Sequence, residues 1–193
     1  QFVKRFRPAH PALLLAFAVW VVWSVIVVEL PRIGFKFTTN QLFWLAAMPG
    51  LAGGTLRIIH SFLIPIFGTR HVITFATLLK VIPCVGLALG ILDPHTPYWY
   101  FMTFALLAGM GGGDFSSYMP STSLFYPKRL QGTALGIQAG IGNFGVSVVQ
   151  FVVPLAITAG VFGALGGDPQ SATAAGVKTT LWLQNAGFVF VPF

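Results

Sequence analysis

Apolar runs of membrane-spanning length recur along this chain, and they leave few ways for it to fold. The first, PALLLAFAVWVVWSVIVVEL, occupies residues 11–30, and the second, LFWLAAMPGLAGGTLRIIHSFLIPIF, occupies 42–67. Further runs cover 72–92, 98–126 and 130–158, and an incomplete sixth begins near Thr180. A hydrocarbon core about 30 Å thick takes about 20 apolar helical residues to cross. Within it every backbone polar group must be paired internally, which leaves helices or a closed barrel. A barrel shows alternating segments of about ten residues instead. The expected fold is therefore all-α, a polytopic transmembrane helical bundle with five complete spans and the start of a sixth. Connections are short and polar except 159–179, whose Gly and Ala content predicts a longer external loop.

Composition agrees. Charged residues make up 8% of the chain and the mean hydropathy is +0.81, whereas an ordinary soluble domain is about 25% charged. The formal charge of +7 raises the question of nucleic acid. The basic residues are scattered between apolar spans with no continuous patch, so no nucleic-acid partner is expected. The single cysteine, Cys84, lies inside an apolar run. It offers neither an intrachain disulfide nor metal-ligand spacing, so a buried, inert thiol and no metal are expected. No nucleophile–base pair stands out, which argues against an enzyme and against any cofactor. The chain opens on Gln1 without a signal-peptide pattern and closes on LWLQNAGFVFVPF, which reads as a membrane helix stopped partway. A larger protein, with this chain truncated at both ends, is the expectation.

Lys and Arg set orientation in membranes. With the N-terminus cytoplasmic, Lys4, Arg5, Arg7, Arg70, Lys128 and Arg129 fall inside, and Arg32, Lys36 and Lys178 outside. The acids Glu29, Asp93 and Asp168 also fall outside. The bias predicts an N-in topology. Five spans and part of a sixth suit one six-helix half of a carrier built from two such halves, with its site at the midplane between them. No internal repeat is evident in the sequence.

Arg57 is the residue most at odds with its surroundings. By helical rise it lies roughly 15 Å from one end of its span and about 22 Å from the other, too deep to snorkel. Insertion scales put a charge at that depth at roughly +2.5 to +3.5 kcal/mol. The chain has only four acids to neutralise it. A guanidinium offers a planar fork of donors suited to small oxyanions, so Arg57 is a candidate anion ligand. The alternatives are a structural pairing with Asp114 or capping of backbone carbonyls.

The fifth run contains QGTALGIQAGIGNFGVSVVQ, in which Gly132, Gly136 and Gly140 recur every four residues. They form one helix stripe, continued by Asn143 and Ser147. Such stripes let membrane helices approach closely, and packing is the commoner reading. Asn143 differs, because its amide can donate to an anion and lies near the depth of Arg57. In the fourth run, Gly111, Gly112 and Gly113 precede Asp114, Phe115, Ser116 and Ser117, and Pro120 can kink the helix. No strand context makes GMGGG a phosphate loop. Phe115, roughly 16 Å deep, is again level with Arg57, although a Phe there is ordinarily core or lipid-facing. Asp114 is either a proton carrier or a partner for Lys80. Helical rise puts Lys80 about 12 Å and Asp114 about 18 Å from the same side, a gap a Lys nearly closes, so pairing is favoured. For His60 polar packing is expected, and for His10 an interfacial position.

These motifs resemble a known family. SLFYPKRLQGTALGIQAGIGNFGVSVVQFVVP, residues 123–154, closely resembles the span-five nitrate signature of the nitrate/nitrite porters of the major facilitator superfamily. GGTLRIIHSFLIPIFGTR, residues 53–70, is similar to that family's second span and following loop, and LLAGMGGGDFSSYMPSTSLFYPK to its fourth span. The resemblance covers essentially the whole chain and identifies it as the N-terminal half of such a porter. It implies that Arg57 grips the substrate anion, with a second arginine in an eighth span beyond this chain. It implies that Asn143 contacts the anion and that Phe115 packs against it, with a partner aromatic in the missing C-terminal half. Gly136, Gly140, Gly142 and Gly145 fall in the glycine-rich signature that packs and slides helices during alternating access. Two positions depart from the pattern. Asp114 stands where the family commonly has Asn or a small residue, and the loop after span two keeps Gly68 and Arg70 but lacks the superfamily's usual acid.

The function implied is secondary active transport of nitrate and/or nitrite in a cell inner membrane, as a multi-pass protein within the lipid bilayer. Nitrate/proton symport, with protons as partners and a proton-linked role for Asp114 or Lys80, and nitrate/nitrite antiport both fit. A superfamily carrier for another small anion is the alternative, and a non-transporting membrane sensor a more remote one.

Overall fold

The computed structural model describes residues 9–174 and 177–193. Lys4, Arg5 and Arg7 lie outside the described residues, as does the side chain of His10. The first helix, α1 (Ala9–Glu29), is apolar all round and sits centrally, with Leu13, Ala16, Phe17, Trp23 and Ile26 buried. A helix without a polar face can satisfy itself only inside a bundle or a membrane. It ends in a 3-10 turn, Leu30–Ile33, opened by Pro31 and closed by Gly34 at φ 108°. That left-handed conformation comes without strain only to glycine.

Helix α2 (Thr39–Phe67) starts on a capping box: the Thr38 hydroxyl accepts the Gln41 N–H at 3.2 Å, and Gln41 Oε1 accepts the Thr38 N–H at 2.8 Å. These reciprocal bonds pair two otherwise orphaned donors. Only 17% of its most apolar window is buried, against 61% for the first span. Phe43, Ile58, Phe62 and Ile66 point outward, as suits a helix meeting lipid or further protein. Gly68, at φ 75°, ends α2 and starts the next helix.

The third run is helical but broken once, into α3 (Thr69–Leu79) and α4 (Val81–Leu92). The joint is Lys80, three residues before Pro83. A proline lacks the N–H that would bond the carbonyl four residues back, and its ring crowds that carbonyl. The fourth run breaks twice, into α5 (Tyr98–Ala108), α6 (Met110–Gly113) and α7 (Phe115–Phe125), with joints at Gly109 and Asp114. Both joints keep right-handed helical dihedrals. The N–H groups of Gly109 and Ser117 bond three residues back, at 3.1 Å each, so the path tightens locally without turning aside.

Close approach explains the glycines of this segment. A Cβ on Gly111 would sit 2.1 Å from the Ala16 carbonyl oxygen of α1. Helix α8 (Lys128–Thr158) follows Pro127 and lies along α1 by the same device. A Cβ on Gly145 would be 2.4 Å from the Leu14 carbonyl oxygen, and one on Gly142 would be 2.8 Å from the Leu13 side chain.

Successive connections alternate between the two ends of the bundle. At one end Phe35, Phe37, Tyr98 and Phe101 form an aromatic cluster. At the other, the Ser121 hydroxyl donates to Thr69 Oγ1 at 3.1 Å, and Gln131 Nε2 donates to the Ser123 carbonyl at 2.9 Å.

Two expectations are corrected beyond Thr158. The 159–179 stretch carries structure: a 3-10 turn, Gly163–Gly166, and β1 (Gln170–Ala174), paired antiparallel with β2 (Val177–Leu181). Thr180 lies in β2 opposite Ser171, so no helix begins there. Val177, Thr179 and Thr180 are β-branched and favour the strand. Helix appears only at α9 (Asn185–Phe188). The Asn185 amide anchors it by donating to the Ala156 carbonyl at 3.0 Å, while the Trp182 N–H donates to the Ile157 carbonyl at 2.7 Å.

Among the described residues, four segments are long and apolar enough to cross a membrane: Pro11–Ile33, Thr39–Phe67, Thr69–Leu92 and Lys128–Thr158. The 98–126 run completes its length only as the three pieces α5 to α7.

Candidate anion-binding site

Arg57 projects from the middle of α2 toward the glycine-rich joint of the fourth run. Its Nε donates to the Gly112 carbonyl at 3.2 Å, and its guanidinium carbon lies 5.3 Å from the centroid of the Phe115 ring. It is half-buried and forms no ion pair among the described residues. Among the described residues its only side-chain hydrogen bond is the one from Nε, so both Nη groups have no hydrogen-bond partner there. A guanidinium over an aromatic face is attracted to the ring's negative quadrupole, by about 0.5–2 kcal/mol depending on desolvation.

Of the alternatives, the Asp114 pairing does not occur and the carbonyl contact does, once. Asp114 is fully buried and forms an ion pair with Lys80, itself 3% exposed. Lys80 Nζ also donates to the Ala76 carbonyl at 2.9 Å and lies 5.8 Å from the Tyr118 ring centroid. His60 is buried beside the pair, its Nδ1 3.4 Å from Asp114 Oδ1 and 3.3 Å from the Ser117 hydroxyl, which is polar packing. Both members of the pair stand at helix joints, Lys80 between α3 and α4 and Asp114 between α6 and α7. A cavity of about 860 Å³ between α2 and α3 reaches His60 and Asp114 but is not lined by Arg57. The largely apolar groove and the arginine are separate features.

Phe115 meets Phe17 of α1 edge to face, with centroids 6.1 Å apart, and Phe17 meets Trp20 at 5.4 Å. Phe17 in turn lies against Gly142 and Gly145, which flank Asn143. Asn143 itself is exposed, and its amide donates to the Ala139 carbonyl at 2.9 Å. The structure thus brings Arg57 and Phe115 into contact and leaves Asn143 on an outer face of α8. Gly132, Gly136 and Gly140 are exposed on α8 with open space where a Cβ would stand, whereas Gly142 and Gly145 are buried on α1. The signature glycines accordingly divide into an outward stripe and an inner seam. Phe17 and Trp20 were not singled out from the sequence, because α1 is too uniformly apolar for any position to stand out.

No family profile matches the chain. Among curated proteins it is 61% identical over 182 residues to a "Probable nitrate/nitrite antiporter NarK2" of Thermus thermophilus, covering 94% of this chain and 41% of that protein. It is 47% identical over 182 residues to "Nitrate/nitrite transporter NarU" of Escherichia coli (strain K12), covering 93% of this chain and 38% of that protein. A "Probable nitrate/nitrite antiporter NarK1" of Thermus thermophilus is 32% identical over 146 residues, 76% of this chain and 31% of that protein. The chain spans about two fifths of the length of the first two relatives. Together with its membrane-length helices, these matches to proteins named as transporters and antiporters place the chain in a class of multi-pass membrane proteins. The chain belongs to the nitrate/nitrite porter family of the major facilitator superfamily.

Proposed function

We propose that this chain forms the N-terminal half of an inner-membrane carrier that moves nitrate and nitrite by alternating access. The observation that carries this reading is Arg57, a cation deep in a membrane-length helix, over the Phe115 ring and without a carboxylate partner among the described residues. In the proposed site Arg57 pairs with the planar anion through its open Nη groups. Phe115 forms one wall, and Asn143 donates the second hydrogen of its amide. The remainder of the protein packs on the outward face of α8, where the Gly132, Gly136 and Gly140 stripe permits sliding contact. Proteoliposomes holding the full-length carrier test this: nitrate uptake is expected, and its absence from a correctly inserted protein overturns the reading.

The proposed coupling is nitrate/nitrite exchange, supported by the word antiporter in the names of two relatives and by the ion pair of Lys80 with Asp114 Oδ2. Uptake is then expected to require nitrite inside the vesicle. Uptake driven by a pH gradient into nitrite-free vesicles establishes symport instead.

The proposed topology places the N-terminus in the cytoplasm, with exposed Arg70, Lys128 and Arg129 on the inner side and Arg32, Lys36 and Lys178 on the outer side. A cysteine introduced at exposed Ser171 of β1 is expected to react with a membrane-impermeant maleimide from outside intact cells. Labelling only after permeabilisation reverses the orientation.

A further inference from the structure

Asp114 is the carboxylate best placed to neutralise Arg57, yet it does not. Its joint follows Gly112 by two residues, and the Gly112 carbonyl is the group that holds Arg57 Nε. His60 stands one turn along α2 from Arg57, on the same helix face, and its Nδ1 is 3.4 Å from Asp114 Oδ1. Asp114 is therefore buried within the segment, Gly112 to Phe115, that holds the guanidinium. In a low-dielectric interior, opposite charges attract far more strongly than in water.

Asp114 instead meets Lys80. The ammonium takes Asp114 Oδ2 and secures itself on the Ala76 carbonyl and near the Tyr118 ring. The pair is buried and formally neutral. A neutral pair of this kind is a weak source of stability, because desolvation offsets most of its Coulomb gain. Its effect on the charge balance around Arg57 is larger.

We propose that Lys80 determines the anion affinity of the Arg57 site by holding Asp114 in a closed ion pair, which keeps the embedded carboxylate from competing with an external anion. Lys80 acts through Asp114 and touches no substrate. The inference rests on the reading of Arg57 as the anion ligand.

The test is the nitrate dissociation constant of the detergent-solubilised full-length carrier, measured by calorimetry on variants that remain monodisperse. Lys80→Met frees Asp114 and is expected to weaken nitrate binding by at least about tenfold, in line with loss of one partner of a buried charge pair. Adding Asp114→Asn removes the competitor, so the double variant is expected to bind nitrate as the parent does. Asp114→Asn alone is expected to bind at least as tightly as the parent, since the competitor is gone and Lys80 adds positive field. A pair that merely braces the helices predicts the reverse, with the double variant no better than Lys80→Met. Parent-like affinity in Lys80→Met, or failure of the double variant to recover, overturns the proposal. Should Lys80→Met not fold, Lys80→Gln takes its place: parent-like binding there overturns the proposal, and weakened binding that Asp114→Asn restores supports it. An Arg57→Ala control separates the two levels, because undiminished affinity there removes the anion site itself.

Discussion

Replacing Arg57 with Ala is expected to weaken nitrate binding by roughly 30-fold or more, the equivalent of about 2 kcal/mol, and to abolish measurable uptake. The figure follows from the geometry. The Gly112 carbonyl takes Nε and the Phe115 ring lies 5.3 Å from the guanidinium carbon, so in the proposed site the Nη groups are the donors left for charge-assisted hydrogen bonds to the anion. Arg57→Lys keeps the charge but has no planar fork, and an ammonium stacks and bidentately binds less well than a guanidinium. An intermediate loss of about tenfold is expected for it, with nitrate suffering more than a spherical halide used as control. Equilibrium binding with both anions on the two variants checks this. Full nitrate affinity in a correctly inserted Arg57→Lys protein sinks the assignment. A fold defect is not expected from either change, because Arg57 makes no ion pair among the described residues and only one hydrogen bond.

Depth was the quantity most legible in the sequence, and it explains which of the expected neighbours the structure brings together. Rise along a helix placed Arg57 and Phe115 at one level, and the structure sets the guanidinium over the ring. The same arithmetic left Lys80 and Asp114 a gap that a lysine nearly closes, and the two form the ion pair. Depth says nothing of azimuth. Asn143 shares the level of Arg57 but lies on an exposed face of α8, its amide turned back to Ala139. The four-residue spacing of Gly132, Gly136 and Gly140 marked one stripe correctly, but not that it points away from every other described helix while Gly142 and Gly145 seat α1. Tertiary interlock was legible only in part. The break at Lys80 was not read, although Pro83 three residues on is a local signal for it, whereas the glycines of the fourth run stand against α1 and α2 in contacts that no local pattern records. The hairpin was missed because an apolar run near the chain's end reads as helix until its partner strand is known.

The two classes of glycine predict opposite outcomes for similar substitutions. Gly111→Val is expected to be the most disruptive change in the described bundle, because its Cβ would stand 2.1 Å from the Ala16 carbonyl oxygen. That neighbour is backbone and cannot rotate away, so α6 and α1 must part. Overpacking a core ordinarily costs about 1–3 kcal/mol, occasionally more, and a displaced backbone places this variant at the upper end. Parting these helices also moves the Gly112 carbonyl and Phe115, so binding is lost together with stability. Low yield of monodisperse protein and a lowered midpoint in detergent thermal unfolding are the expected readouts. Gly140→Ala adds its methyl where nothing stands within 4 Å, and Ala is the better helix former by about 1 kcal/mol. That variant is expected to keep its unfolding midpoint and its nitrate affinity, with any deficit confined to the transport rate. If Gly111→Val unfolds at the parental temperature, the close approach of α6 to α1 is not the packing of the protein in its membrane. A destabilised Gly140→Ala would mean that the outward stripe is already in tight contact with a neighbour.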